Sequence, residues 1–163
     1  GGEMMRDIEP RAQISPETHS ESGRVYIYSV ADPVTRLSAP DIVRAIGRGF
    51  RPDTALTLLD GDLRMFDLID IEEATRNKSD LQRQKGRLIG EDGRTRELME
   101  ELTGADVVIY GTTLGIIGDP EEVEAVRRAA EMLLDGAPHG AVYAFLERKH
   151  NELTQGFDVR ERS

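Results

Sequence analysis

The chain has 163 residues, which is enough for one ordinary domain or two small ones. It has no cysteine, which excludes disulfides and thiolate metal sites, and its three histidines are scattered, so we expect no cofactor or metal. No apolar run approaches the ~18 residues of a membrane span and no signal-peptide pattern opens the chain, so we expect a cytoplasmic protein.

The charge of the chain is unusual for a protein that binds nucleic acid, because its net value is −10. Of its 21 basic residues, the lysines are Lys78, Lys85 and Lys149. This acidic, lysine-poor composition indicates a protein from a salt-adapted organism. The alternative is an ordinary acidic protein from a GC-rich genome, in which arginine codons displace lysine codons.

The first half of the chain predicts a loop, a strand and a helix. Residues 15–24 are polar and are typical of a loop, and "RVYIYSV" (24–30) predicts a strand. The Asp-Pro pair at 32–33 predicts a turn before a helix around "APDIVRAIGRGF" (39–50). Residues 51–62 predict a connector with a short helix, whose apolar side chains hold the two halves of the chain together.

The start of the chain resembles the middle of the second half. Gly2 is followed by Met5 and Ile8 at the same spacing as Gly93 is followed by Arg96 and Met99. If this similarity is a repeat, the first unit lacks the strand and helix that precede the glycine loop in the second. The alternative is that Gly2 is an arbitrary start and that helix–hairpin–helix is simply a common arrangement.

The second half predicts a complete unit of six elements. The apolar pattern of a strand is followed by a short helix with Ser79 or Asp80 as its cap, a glycine loop, and a helix that Gly104 ends. Two strands joined by a tight turn and a long helix opened by Asp119-Pro120 complete the unit. The predicted segments are a strand at 65–71, a helix at 79–89, the loop Gly90–Gly93, a helix from about Arg94 to Thr103, strands in "DVVIYG" and "LGIIG", and a helix from Pro120.

This order of elements is that of a type I KH domain (β-α-α-β-β-α). The sequence therefore predicts an α+β fold of two KH-like units packed together. An amphipathic helix in "AVYAFLERKHNEL" (141–153) follows the second unit, and we expect it to dock on its own domain. The predicted divisions are 1–58 for an incomplete first unit with its connector, 59–153 for the second KH domain with its extra helix, and 154–163 for a polar tail.

The glycine loop is the candidate site for single-stranded RNA. Glycine lets a nucleic-acid backbone approach closely, and the helix after the loop presents free N–H groups and its positive dipole end to phosphates. Residues 83–96 include five basic and two acidic residues, in a chain that is otherwise strongly acidic. The alternative is that these cations pair with Glu97, Glu100 and Glu101 on a solvated helix face.

Apolar residues near the loop predict a groove for about four unstacked nucleotides. Ile89, Leu98, Val107 and Ile109 would form its floor. The predicted RNA-binding residues are Arg83, Lys85, Arg87, Ile89, Gly90, Glu91, Asp92, Gly93, Arg94, Arg96, Val107 and Ile109.

Two features leave alternatives open. Glu91 and Asp92 would repel phosphates in dilute buffer, although molar salt shortens the screening length to about 3 Å, and Asp92 can also cap the following helix. A second basic cluster, defined by Arg44, Arg48 and Arg51, consists either of cations placed near a helix C-terminus or of contacts for RNA or a partner.

Several segments resemble one protein family along almost the whole chain. "FDLIDIEEATRNK", "GRLIGEDGRTRELMEELTG", "VVIYGTT" and "LLDGAPHGAVYAFLERK" are similar to the archaeal KH ribosome-assembly factors, the archaeal relatives of the eukaryotic pre-ribosomal "partner of Nob" protein. This resemblance implies two packed KH domains, the second binding single-stranded RNA near the 3′ end of the small-subunit rRNA. It also implies two protein partners, the endonuclease that trims that end and the alpha subunit of archaeal initiation factor two.

The chain departs from the family pattern at the missing first strand and helix and at the acidic loop tip. The resemblance places the phosphate-contacting loop on Gly90–Gly93, followed by Arg94 and Arg96. A scaffold that keeps the KH fold and has weak or lost RNA binding is the alternative function. Catalysis is not expected, because the acidic pairs fall at helix starts or on exposed helical faces, where acids are favourable in any protein.

Overall fold

The computed structural model describes the backbone of residues 14–19, 24–30, 33–61 and 63–162, and the side chains of residues 38–61 and 63–155. The described part opens with β1 (Ile14–His19) and β2 (Arg24–Val30), which pair as an antiparallel hairpin. The strand predicted at 24–30 is confirmed, and the loop predicted at 15–24 is wrong for residues 15–19. These polar residues form a strand because β2 supplies their hydrogen-bonding partners, which local composition does not reveal.

The similarity drawn for Gly2, Met5 and Ile8 lies outside the described residues. The helix predicted around 39–50 begins earlier, as α1 (Pro33–Gly47), and the connector forms α2 (Pro52–Leu56) followed by a 3₁₀ turn.

A three-stranded antiparallel sheet forms the centre of the second unit. Its strands are β3 (Met65–Asp70), β4 (Asp106–Tyr110) and β5 (Thr113–Gly118), in the order β3-β5-β4. A two-residue turn joins β4 to β5, and Gly111 in this turn has a φ of 59°. All three predicted strands are confirmed.

Four helices belong to the second unit, and their bounds are close to those expected. The helix that begins at Lys78 is capped by Asn77, whose side-chain oxygen accepts a hydrogen bond from the Asp80 N–H at 2.9 Å. The cap predicted at Ser79 or Asp80 is therefore wrong. Asp80 instead lies in the first turn, where a carboxylate is favourable. The helices are α3 (Lys78–Ile89), α4 (Arg94–Thr103), α5 (Pro120–Leu134) and α6 (His139–Arg162).

Helices cover both faces of the sheet. On one face, buried residues of β3, β4 and β5 pack with α3, α4, α5 and α6. On the other face, Phe66 and Ile117 pack with residues of α1 and α2 and with Phe50, whose ring lies against Gly115. The sheet therefore shares a second core with α1 and the connector, as the apolar residues of the connector predicted.

The C-terminal helix α6 docks on its own domain, as expected. Val142 and Leu146 on its inner face are fully buried in the same core as α4 and α5. The helical backbone continues through Arg162, beyond Thr154, where the polar tail was predicted to begin.

Truncating a buried residue of α6 should weaken the whole domain. We expect Leu146→Ala to lower the free energy of unfolding by about 2–5 kcal/mol, because it leaves a cavity in the main core. Arg148→Ala on the exposed side of the same helix is the control and should change stability by less than about 0.5 kcal/mol. Urea denaturation measures both variants, and equal effects would contradict the packing of α6.

Candidate nucleic-acid interface

The glycine loop joins α3 to α4 through a single 3₁₀ turn, Glu91–Gly93. Three of its residues have positive φ: Gly90 (79°), Asp92 (53°) and Gly93 (75°). Glycine adopts this region without a steric penalty, and aspartate is among the few other residues that visit it. The backbone conformation therefore accounts for both glycines and for a short acidic residue between them.

The two glycines are required for different reasons. A Cβ on Gly90 would lie 2.2 Å from Thr95 Oγ1 and 2.6 Å from the Thr95 backbone nitrogen, so Gly90 is packed against α4. A Cβ on Gly93 would meet nothing within 4 Å. Gly93 thus leaves open space at the beginning of α4, where another molecule's backbone can approach.

Asp92 does not cap α4, contrary to the sequence-based expectation. The residue before α4 is Gly93, and no side chain accepts a capping hydrogen bond there. No side chain therefore caps the first turn of α4, although the Arg94 N–H donates to the carbonyl oxygen of Glu91. The positive end of the α4 dipole lies at this turn and favours an anion. Glu91 and Asp92 are both exposed at the tip of the loop.

The start of α6 supports the loop from behind. Tyr143 Oη lies 2.8 Å from the hydroxyl of Thr95, which is fully buried just after the loop. The Nε2–H of His139 donates to the carbonyl oxygen of Arg87, just before the loop, at 3.0 Å. The "HGAVY" segment (139–143) therefore holds both sides of the glycine loop in place.

The basic side chains around the loop fall into two groups. Arg83 pairs with Asp80 at 2.7 Å, and together with the Arg76 N–H it lowers the pKa of the Asp80 carboxyl. Arg87 donates to the carbonyl oxygen of Ala137. The side chains of Lys85 and Arg94 make no hydrogen bond or ion pair among the residues whose side chains the structure describes.

Arg96 and Glu100 together cover the start of β4, the edge strand of the sheet. Their side chains form an ion pair at 2.7 Å, and among the described residues no basic residue of 83–96 pairs with Glu97 or Glu101. Glu100 Oε2 accepts the Val107 N–H at 3.0 Å, and Arg96 Nη1 lies 3.4 Å from the Val107 carbonyl oxygen. Both outward backbone groups of Val107 are therefore occupied by α4.

The next outward backbone groups of β4 are those of Ile109. Val107 and Ile109 are two residues apart, so their N–H and C=O groups point to the same side of the strand. Because α4 occupies the outward groups of Val107, the accessible part of the strand edge is at Ile109. Asp106, at the start of β4, has its carboxyl pKa raised by burial and by the nearby charge of Glu100.

The apolar floor is smaller than predicted. Leu98 and Val107 are 8% and 4% exposed and belong to the core below the surface. Ile89 and Ile109 are half-buried. The structure thus leaves Gly93, Arg94, Lys85, Ile89 and Ile109 at least partly exposed. It gives Arg83, Arg87, Arg96 and Val107 contacts within the protein.

The second basic cluster is largely used within the fold. Arg44 pairs with Asp41 and lies 5.3 Å from the Phe66 ring centroid, and Arg51 pairs with Asp53. Arg48 donates hydrogen bonds to the β4–β5 hairpin. Among the described residues no group of three or more histidine, aspartate or glutamate side chains could hold a metal ion, and no described helix is long and apolar enough to cross a membrane.

Sequence reasoning did not find Glu100 or Tyr110 at this surface. Glu100 reads as one of several exposed helical acids until Val107 is placed beside it. Tyr110 ends a strand before a glycine turn, which is a weak signal of an exposed aromatic residue.

A three-stranded antiparallel sheet with a G-x-x-G loop between two of its covering helices defines a type I KH domain. Residues 65–151 match the profile of the second KH domain of PNO1-type proteins, described as a eukaryotic type KH-domain (KH-domain type I). An archaeal KH domain-containing protein of Methanocaldococcus jannaschii is 41% identical over 93% of this chain and 67% of its own length. The chain belongs to the PNO1-type KH family, which confirms the resemblance seen in its sequence.

Two further relatives carry functional names. The pre-rRNA-processing protein pno1 of Emericella nidulans is 34% identical over 72% of this chain, which spans 46% of that protein's length. The Pyrococcus horikoshii complex of a/eIF2alpha, aDim2p and rRNA contains a chain that is 39% identical, with a TM-score of 0.78, over 93% of this chain and 84% of that chain.

Proposed function

We propose that this chain binds single-stranded RNA beside its glycine loop and acts in assembly of the small ribosomal subunit, at the 3′ end of its rRNA. The observation that carries this proposal is the open space at Gly93, next to the first turn of α4, which no side chain caps, and the free side chain of Arg94. A phosphate fits this combination of backbone donors and a cation. The names of the Emericella and Pyrococcus relatives support the same function.

The twelve predicted site residues would then act in different ways. The loop and Arg94 hold phosphate, with Lys85 nearby, and Ile89 and Ile109 contact bases. The outward N–H and C=O of Ile109 can hydrogen-bond to one base edge. Arg83, Arg87, Arg96 and Val107 would support the groove from within, and Glu91 and Asp92 form the tip that phosphate must pass.

The proposed partners extend beyond RNA. We include the alpha subunit of archaeal initiation factor two, because the related Pyrococcus chain was solved with a/eIF2alpha, and the endonuclease that trims the rRNA. We propose a cytoplasmic protein from a salt-adapted organism that binds rather than catalyses. The divisions 1–58, 59–153 and 154–163 remain our proposal for its domains.

An RNA-binding experiment tests this function. A fluorescent RNA of about twelve nucleotides from the 3′ end of the organism's own small-subunit rRNA exceeds the four that a KH groove holds. We expect it to bind at least about tenfold more tightly than a scrambled RNA of equal composition, a difference of ~1.4 kcal/mol. If the protein bound the alpha subunit but neither RNA, it would be a scaffold, the alternative that the exposed Glu91 and Asp92 favour.

A further inference from the structure

Tyr110 is an exposed aromatic residue directly beside the proposed groove. It is the last residue of β4, follows Ile109, and is 53% exposed. Because side chains alternate along a strand, Tyr110 lies on the opposite face of the sheet from Val107 and Ile109. Because β4 is an edge strand, the ring stands beside the strand edge, on the other face from the groove and one residue beyond the backbone groups of Ile109.

Contacts from the end of α1 hold this ring in position. The Arg48 guanidinium carbon lies 5.5 Å from the ring centroid. Arg48 also donates to Thr113 Oγ1, with distances of 2.8 and 3.1 Å, and to the Tyr110 carbonyl oxygen at 3.2 Å. A Cβ on Gly49 would be 2.9 Å from Tyr110 Cβ, so the backbone after α1 is packed against the tyrosine.

We propose that Tyr110, supported by Arg48, is a stacking site for an RNA base that lies just outside the groove. This inference rests on the proposed RNA binding and extends it. A fixed aromatic ring loses little conformational freedom on stacking, and an adjacent guanidinium adds cation–π attraction and positive charge next to the phosphates. Ile109 and Tyr110 are one residue spacing apart, ~3.3 Å, and RNA that leaves the groove at Ile109 passes around the edge of β4 to meet the ring on the other face.

The site combines both halves of the chain. The ring comes from β4, whereas Arg48 and Gly49 come from the segment after α1. Nearby Arg44 and Arg51 are paired with aspartates, so Arg48 supplies the cation at the ring. RNA is favoured over a protein partner because the ring adjoins the groove and joins an aromatic face to a cation, as on surfaces that bind single strands.

Two substitutions of Tyr110 test the stacking. With the RNA of about twelve nucleotides, Tyr110→Leu should weaken binding by roughly 5- to 100-fold, the loss expected for one stacked base. Tyr110→Phe keeps the ring and should bind within about twofold of the unmutated protein. The leucine variant should leave the salt dependence of affinity unchanged, because it removes no charge.

Further measurements keep the result interpretable. Thermal unfolding shows whether the leucine variant is folded, and ultraviolet crosslinking of the unmutated protein should attach RNA to Tyr110, located by mass spectrometry. If the leucine variant binds RNA as tightly as the unmutated protein while Gly93→Asn still loses binding, the stacking site is overturned and the groove is not. Unchanged RNA affinity with lost binding of the alpha subunit would assign the ring to a protein interface, and no RNA binding by the unmutated protein would overturn both proposals.

Discussion

Replacing Gly93 with asparagine should weaken RNA binding by about tenfold or more while the protein stays folded. Asparagine tolerates the positive φ of 75° at this position, and its side chain would project into open space. The same side chain would stand where the phosphate must approach α4. Loss of one hydrogen bond to a charged group, ~1.5–3 kcal/mol, corresponds to roughly ten- to a hundredfold in affinity.

Two control variants separate binding from folding. Gly136→Asn changes another open glycine of positive φ (99°), between α5 and α6, and should leave RNA affinity unchanged. Gly90→Ala should instead destabilise the domain by at least ~2 kcal/mol, because the methyl group would collide with Thr95 in a backbone region that suits glycine alone. Fluorescence anisotropy measures binding and thermal unfolding measures stability. Full RNA affinity in a folded Gly93→Asn protein would rule out phosphate binding at this loop.

RNA affinity should fall only gently as salt rises. The logarithm of the association constant changes with the logarithm of salt concentration by about −0.7 per neutralised phosphate of a single strand. Lys85 and Arg94 are the cations beside the loop without a partner among the described side chains, so we expect a slope of about −1.4. Five contacting cations would give about −3.5. The acidic loop tip then costs little affinity, because RNA binding relies on backbone N–H groups and close contacts, which molar salt screens little.

Single-residue variants assign the slope to particular side chains. Arg94→Ala should reduce its magnitude by about 0.7, because one phosphate contact is lost. Arg83→Ala is the matched control, since Arg83 is already paired with Asp80, and it should leave the slope unchanged. Titrations from low to molar potassium chloride measure each variant. A slope near −3.5 would mean that the paired arginines leave their partners to bind RNA.

Most of the second unit was predictable from contiguous residues. Its strand and helix bounds agree with the patterns because alternating or helical spacing, glycine ends and a proline start act within a few residues. The local patterns failed in two places. Residues 15–19 form a strand because β2 lies beside them. Asn77, Ser79 and Asp80 are all suitable capping residues by type, and the structure shows that Asn77 is the cap because its side chain accepts the Asp80 N–H.

The glycine loop itself was found in the sequence, but the roles of its neighbours were not. Arg83, Arg87 and Arg96 look like equal members of a basic island when they are read in order. In the folded chain Arg87 reaches Ala137, 50 residues away, and Arg96 reaches the edge of β4. Val107 and Leu98 have the apolar character of a groove floor, yet the helices bury them in the core.

Spacing and residue type were therefore sufficient to predict the order of elements, the type I KH unit and the position of its loop, because each depends on interactions between near neighbours. The folded structure was needed to show that Gly93 faces open space while Gly90 packs on Thr95, which cations remain unpaired, and that Arg48 and Tyr110 meet across 62 residues. These properties depend on contacts between segments far apart in the chain, whose geometry no local pattern encodes.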